Sequence, residues 1–336
     1  MTTLHLVVPD GVDDPARPSG GNVYDRRVAD GLAERGWQVV EHPVAGPWPR
    51  PDADATARLA TAVGSVPDGE RVLVDGLLAS ASPDVVVPAA RRVALAVLVH
   101  LPLGVHDADA REAEHAVLAA ARTVVATSEW TRCWLSRHYG LGGVYAAPPG
   151  VDPAPVAVGS GTGGSLLAVG RACPAKGYDV LATALESMLD LPWTCTWVGP
   201  LEDATPSPIV LTGPLPAAAL AERYDAADVL VLPSRGETYG MVLTEALARG
   251  VPVVASDVGG VREAVGRCPD GLLPGLLVPP GDPVALAHAL RRWLTDAGLR
   301  EGLRTVALDR RASLTGWSAT SALVADALAS PAGARS

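Results

Sequence analysis

Short apolar runs and segments of helical period alternate from one end of the chain to the other. In the first half, residues 4–8, 38–40, 72–74, 93–99, 123–126 and 144–146 read as strands. Residues 93–99 form the most continuous apolar run there, as expected of a central strand covered on both faces. Between these runs, residues 20–35, 53–63, 108–121 and 128–138 predict helices. Val23, Arg27, Val28, Gly31 and Leu32 give the first of them one face, and Gly36 stops it. The alternation restarts with strands at 165–169, 194–198, 209–211, 229–232, 253–255 and 276–279. Helices are predicted at 178–189, 216–226, 241–247 and 283–294, with a last helical segment at 316–328. Strands alternating with helices in this way build open parallel sheets, so the fold class is α/β with two sheet domains. The expected boundaries are a first domain over 1–155, a linker over 156–164, a second domain over 165–314 and a terminal helix over 315–330. The run GSGTGG at 159–164 is flexible by composition.

Open parallel sheets bind ligands where loops leave the carboxyl ends of strands. The richest such loop follows strand 229–232, which Pro233 and Ser234 close. It holds Glu237, Tyr239 and Gly240 and feeds a helix carrying Glu245. Eight positions are about two helical turns, so Glu237 and Glu245 are expected to line one edge of one pocket. The amides of Tyr239, Gly240 and Met241 stand at the helix start, where unpaired N–H groups favour an anion. Taken alone, both glutamates also fit ordinary solvated charges. Strand 165–169 delivers a second loop, with Arg171 and Lys176 ahead of a helix. Two cations in that position make a phosphate site, or else two solvated charges. In the first half, Gly20, Gly21 and Asn22 open a helix after the first strand, a nucleotide-type start without the G-x-G-x-x-G fingerprint. A plain tight turn with Asn22 as a cap accounts for it equally. His100 sits at the end of strand 93–99, at the ligand-binding edge.

Composition narrows the choices. At 336 residues the chain is comfortable for two domains. It holds no apolar run long enough to span a membrane, and no basic-then-apolar secretory start, which leads us to expect a cytoplasmic protein. Cys133, Cys173, Cys195 and Cys268 lack metal-ligand spacing and fit packed thiols in a reducing compartment. A net charge of −10 argues against nucleic acid or an anionic membrane as a partner. Lys176 is the sole lysine among abundant arginines, which marks a place where arginine does not serve; Ile209 is equally alone and reads as plain strand core. The acidic pairs Asp52/Asp54 and Asp107/Asp109 have no strand-end context for a metal–diphosphate site.

Residues 229–263 resemble the donor-site signature of retaining glycosyltransferases of the GT-B fold, family 4, the glycogen synthase and phosphatidylinositol mannosyltransferase type. Shared features are a Glu, seven residues and a second Glu after a Pro-Ser strand end, an aromatic-Gly pair between them, and the A-L-A-x-G-x-P-V-V-A and D-x-G-G that follow. Gly170 to Gly177 resembles the family's G-R-x-x-x-x-K-G, and VHLPLG at 99–104 its His-bearing segment. A-P-P-G-V-D at 147–152 resembles its P-N-G-V-D, with Pro149 where the family has Asn. The resemblance covers nearly the whole chain and is strongest from 165 to 278. It implies two Rossmann-like domains with parallel sheets facing across a cleft, and a C-terminal helix that crosses back to the first domain. It further implies a hexose transferred from a nucleotide diphosphate sugar, UDP- or GDP-linked, with retention and without a metal or other cofactor. Arg171 and Lys176 would grip the diphosphate with the amides of Tyr239, Gly240, Met241 and Val242. Glu245 would take the ribose, Glu237 the sugar hydroxyls and His100 the transferred sugar, with the Gly20–Gly21 loop close to donor and acceptor. No basic amphipathic helix of the membrane-docking kind is evident, so a small soluble acceptor is expected. Asn22, Tyr24, Asp25 and His106 are its candidate contacts by loop position. Other readings are a non-catalytic nucleotide-sugar binding protein, a glycoside phosphorylase and a two-lobed solute-binding protein. The large phosphorylases need a Lys-bound pyridoxal phosphate, and the missing export start disfavours a solute-binding protein.

Overall fold

The computed structural model describes residues 2–14, 19–105, 107–201, 207–268 and 271–330. The chain divides into two compact units, one of residues up to Gly150 together with those from Trp317 on, the other running from Val151 to Gly316. In chain order the first unit contains β1 (Thr2–Pro9), α1 (Gly20–Glu34), β2 (Trp37–Val44), α2 (Ala53–Gly64), β3 (Arg71–Asp75), α3 (Gly76–Ala79), α4 (Pro83–Ala89), β4 (Ala94–Val99), α5 (Ala110–Ala120), β5 (Thr123–Ala126), α6 (Glu129–Tyr139) and β6 (Val144–Ala146). The second contains β7 (Ser165–Val169), α7 (Tyr178–Glu186), β8 (Thr194–Val198), β9 (Val210–Leu211), α8 (Ala217–Asp225), β10 (Val229–Leu232), α9 (Met241–Leu247), β11 (Val253–Ser256), α10 (Val261–Val265), β12 (Gly275–Val278), α11 (Pro283–Thr295) and α12 (Ala297–Arg311). The chain then returns to the first unit as α13 (Trp317–Ala329).

Each unit's described strands form one six-stranded, wholly parallel sheet, in the orders β2-β1-β3-β4-β5-β6 and β12-β11-β10-β7-β8-β9. Both sheets are doubly wound. Because side chains alternate across a strand, neighbouring residues enter opposite cores. In the first unit Leu6, Leu73 and Leu98 pack under α1 and α13, while Val7, Val74 and Val97 pack against α2, α5 and α6. In the second, Val229 and Val231 join the core of α7 and α11, and Leu230 and Leu232 join that of α9 and α10. Burial on both faces is why these strands read as unbroken apolar runs rather than alternating ones.

α13 lies close against α1: a Cβ on Gly31 would stand 2.1 Å from Ser321 Oγ. Arg35 donates to the Ser318 carbonyl at 2.7 Å, and Val324 and Ala327 are fully buried beside Leu4. The expected return of the terminal helix to the first domain is therefore present. The segment expected as a linker over 156–164 runs bonded along the second unit. Ala157 N–H donates to Arg249 O at 2.9 Å and Gly159 N–H to Asp225 O at 2.8 Å. The buried Asp228 carboxylate accepts from Ser160 N–H at 2.9 Å and Ser165 N–H at 2.8 Å. Gly159, φ +72°, permits close approach there: a Cβ would stand 2.7 Å from Asp228 Oδ1. Among the described residues no helix is long and apolar enough to cross a membrane.

Candidate functional site

A doubly wound sheet opens a crevice where the strand order reverses. In the second unit that point lies between β7 and β10, and the residues singled out in the sequence gather there. After β7 the chain makes a tight turn, Pro174–Lys176, before α7. Gly177 follows with φ +73°, and a Cβ there would stand 2.0 Å from Pro233 O. Only glycine lets the lysine turn rest on the end of β10. Arg235 ties the two loops together: its N–H donates to Ala175 O at 3.0 Å and its guanidinium to Asp179 at 2.6 Å. Lys176 Nζ lies 2.7 Å from Glu237 Oε2, and the Glu237 side chain is only 13% exposed. Ser234 Oγ is a further contact of that oxygen, at 3.5 Å. Gly259, φ +58°, passes beneath the same loop; a Cβ there would stand 1.8 Å from Glu237 O. Gly260 N–H donates to that carbonyl at 3.0 Å. Arg171 is exposed on the neighbouring strand end.

Glu237 and Glu245 do not share an edge by helical spacing, because α9 begins only at Met241. Glu237 sits in the loop and faces Lys176. Glu245 is half-buried and accepts from Tyr224 Oη at 2.7 Å, with the Arg249 guanidinium 4.8 Å over the Tyr224 ring. Burial raises its carboxyl above the usual range, against the Tyr224 hydrogen bond and the Arg249 charge. Tyr239 is buried against the core of α9 and Gly240 caps the helix, so that Met241 and Val242 occupy its first turn, where N–H groups lack helical partners.

The first unit reverses between β1 and β3. Around that point His100, at the end of β4, meets two carboxylates. Its Nε2 is 2.8 Å from Asp25 Oδ1 on α1 and 3.8 Å from Asp75 Oδ2 at the end of β3. Gly20 is exposed, and a Cβ on Gly21 would meet the His100 ring at 3.5 Å. Asp75 is not among the site residues the sequence singles out. Its one signal is the Asp-Gly strand end, where it accepts from Leu77 N–H at 2.6 Å and caps α3. Two proposed acceptor contacts are corrected. Tyr24 is 1% exposed, lies edge-on to His100 and donates its hydroxyl to Ala147 O at 2.7 Å, which makes it core. Asp25 is 2% exposed and faces His100. Asn22 is half-buried, with Nδ2 3.4 Å from Gly11 O, and His106 lies outside the described residues. The segment after His100 is held by the buried Glu114, which accepts from Leu103 N–H, Gly104 N–H and Tyr139 Oη at 2.8, 3.0 and 2.6 Å.

Asp25, Asp75 and His100 are the group of such side chains, among the described residues, whose donor atoms all fall within 4.8 Å of one another. Nε2 is already bonded to Asp25, so the three form a hydrogen-bonded cluster as they stand. Asp52 caps α2 through Ala55 N–H, and Asp107 accepts from Asp109 N–H, so both have local backbone work. Burial and the Asp25 charge push the Asp75 carboxyl up to about 7, against the opposing charge of His100 and the Leu77 N–H. Burial lowers His100, but the charge and hydrogen bond of Asp25 and the charge of Asp75 outweigh it and carry the ring to about 9.

Both groups thus hold protons more tightly when folded than at their ordinary values of 3.8 and 6.5. Stability from Asp75 is complete below pH 3.8 and is lost as pH rises through about 7; that from His100 is complete below 6.5 and lost through about 9. We expect the melting temperature, followed by calorimetry, to fall from pH 6.5 to 9, and to fall less in His100→Gln. Equal slopes in the two proteins would show that the cluster does not titrate as described.

Two doubly wound parallel-sheet units, with a terminal helix returned to the first, define the GT-B class of fold. Solved structures bear this out. Sucrose-phosphate synthase from Thermosynechococcus elongatus superposes with a TM-score of 0.76 at 22% identity, over 97% of this chain and 98% of that one. Anabaena HepE in complex with UDP and glucose gives 0.73 at 17% identity, over 98% and 100%. Residues 163–296 match the family described as Glycosyl transferases group 1, and this part of the chain is a domain of that family. The D-inositol 3-phosphate glycosyltransferase of Kineococcus radiotolerans is 35% identical over 247 residues, 62% of this chain and 57% of that protein. The chain spans about half the length of the curated relatives it matches.

Proposed function

We propose that this protein is a glycosyltransferase that moves a hexose from a nucleotide diphosphate sugar to a small soluble acceptor, with retention of configuration and without a metal. The observation that carries the reading is the pairing of Lys176 with Glu237 at the strand-order reversal of the group 1 domain, with Arg171 on the adjoining strand end. Both cations would neutralise the leaving diphosphate, the charge that develops as the glycosidic bond breaks. Donor binding would open the Lys176–Glu237 pair, giving the lysine to phosphate and the carboxylate to sugar hydroxyls. Glu245, held by Tyr224, would accept from the ribose. His100 would address a hydroxyl of the substrate. The UDP held by HepE favours a UDP-linked donor, with GDP next. An inositol phosphate, the acceptor in the name of the curated relatives, is a small soluble polyol, which supports that acceptor class.

A thermal-shift titration with UDP, GDP, ADP and TDP, with and without magnesium, tests the donor half. We expect one nucleotide, UDP first, to raise the melting temperature equally in both conditions; at 100 times Kd the stabilisation is about 2.7 kcal/mol. A shift that needs magnesium would overturn the metal-free site. Release of sugar from the matching nucleotide sugar would then separate a transferase from a binding protein.

A further inference from the structure

His100 presents two nitrogens to two different surroundings. Nε2 is flanked by carboxylates, Asp25 at 2.8 Å and Asp75 at 3.8 Å. Nδ1 has no hydrogen-bond partner among the described residues, and the side chain is 19% exposed. With Nε2–H donating to Asp25, the charge of the ring decides what Nδ1 offers. In the neutral ring it is a lone pair, able to accept a proton; in the imidazolium it is a second N–H donor. Two carboxylates on one nitrogen favour the imidazolium.

A second observation concerns where another proton sits. Asp25 Oδ2 is buried and has no hydrogen-bond donor. A carboxylate oxygen stripped of water and left unpaired is costly. Asp75 is the neighbouring carboxyl, with an oxygen within 4.8 Å of one of Asp25's. A proton on Asp75 would relieve the repulsion of two buried carboxylates. Below about pH 7 that proton leaves Asp25 the single anion opposite the imidazolium; above it Asp75 ionises too and adds its charge to that of Asp25 on the ring. The charges acting on His100 are those of Asp25 from α1 and Asp75 from the end of β3. Tyr24, also from α1, offers its ring edge and turns its hydroxyl to Ala147.

We propose that Asp25 and Asp75 are positioning residues that keep the His100 ring doubly protonated, so that Nδ1–H is a fixed donor to a substrate hydroxyl and not the lone pair of a general base. The substrate half of this statement rests on the transferase reading; the protonation half stands without it.

The full chain labelled with ¹⁵N-histidine decides the protonation half. Two-bond ¹H–¹⁵N spectra are recorded from pH 6 to 10, with His100 identified by its loss in His100→Gln. We expect both ring nitrogens of His100 to be protonated at pH 7.5, with a midpoint near 9. Asp25→Asn should lower that midpoint by about one unit or more, tenfold in proton affinity, and Asp75→Asn by less. A neutral ring at pH 7.5 in the unaltered protein overturns the proposal. So does a midpoint unmoved by Asp75→Asn where Asp25→Asn does not fold. Hydrolysis of UDP-glucose over the same range reads the donor half. Activity that falls above the His100 midpoint, earlier in Asp25→Asn, supports a donor, and activity that rises through it assigns a base and overturns the donor half. Absence of turnover with a protonated ring would count against the transferase reading and leave the protonation result intact.

Discussion

Alanine at position 176 is expected to lower kcat/KM for sugar transfer by roughly thirtyfold or more, about 2 kcal/mol of transition-state binding. On the proposed reading the donor diphosphate loses its point charge in the transition state; in the free protein Glu237, 13% exposed, loses its cation, which bears on stability. Truncating one partner of a hydrogen-bonded charge pair costs about 2–5 kcal/mol when the pair is buried. Lys176 is 35% exposed, so the lower end applies. Arginine is not expected to restore activity, because its fork is larger and Gly177 already holds the turn against Pro233. The pair Lys176→Ala/Glu237→Gln separates the two losses: recovery of stability without recovery of turnover assigns the charge to catalysis. Unchanged turnover in Lys176→Ala would remove this residue from the site.

The second large effect is on architecture. Alanine at Gly259 should lower the melting temperature by at least about 4 °C in calorimetry. Its Cβ would fall 1.8 Å from the Glu237 carbonyl, and φ is +58°. Overpacking costs about 1–3 kcal/mol, and the left-handed conformation adds ~1–2 kcal/mol for a residue with a side chain. The loop cannot yield without shifting Glu237, so nucleotide-sugar binding should weaken in the same variant. An unchanged melting temperature would mean that the loop gives way cheaply and that Gly259 does not fix the carboxylate.

Much of this was legible. Fully buried parallel strands show themselves as apolar runs, and β5, β7, β8 and β10 fall where those runs fall. Lys176, Glu237 and the glycines around them were readable because motif and strand end coincide. What was missed has physical causes. α12 is amphipathic, with Leu303, Val306 and Ala307 buried, but it has no apolar run to announce it. α3 and α4 are too short for period to register. The Glu237–Glu245 spacing misled because half of it is loop. Asp25 and Tyr24 look like loop-edge polar groups, and only the tertiary fold shows the one against His100 and the other in the core. Asp75 is a common turn residue by sequence; its partner lies 25 positions away on another strand.

The return of α13 to the first unit bears on the order in which the protein is made. Val324, Ala327 and Leu328 complete the core that Leu4, Leu6 and Tyr24 begin. Those early residues leave the ribosome long before their cover exists, whereas the second unit is contiguous in the chain. Domains usually fold first at the amino-terminal end as synthesis proceeds. Here that order is inverted in part: the second unit's residues are all made once Gly316 is out, while the α1 face of the first has no cover until α13 emerges.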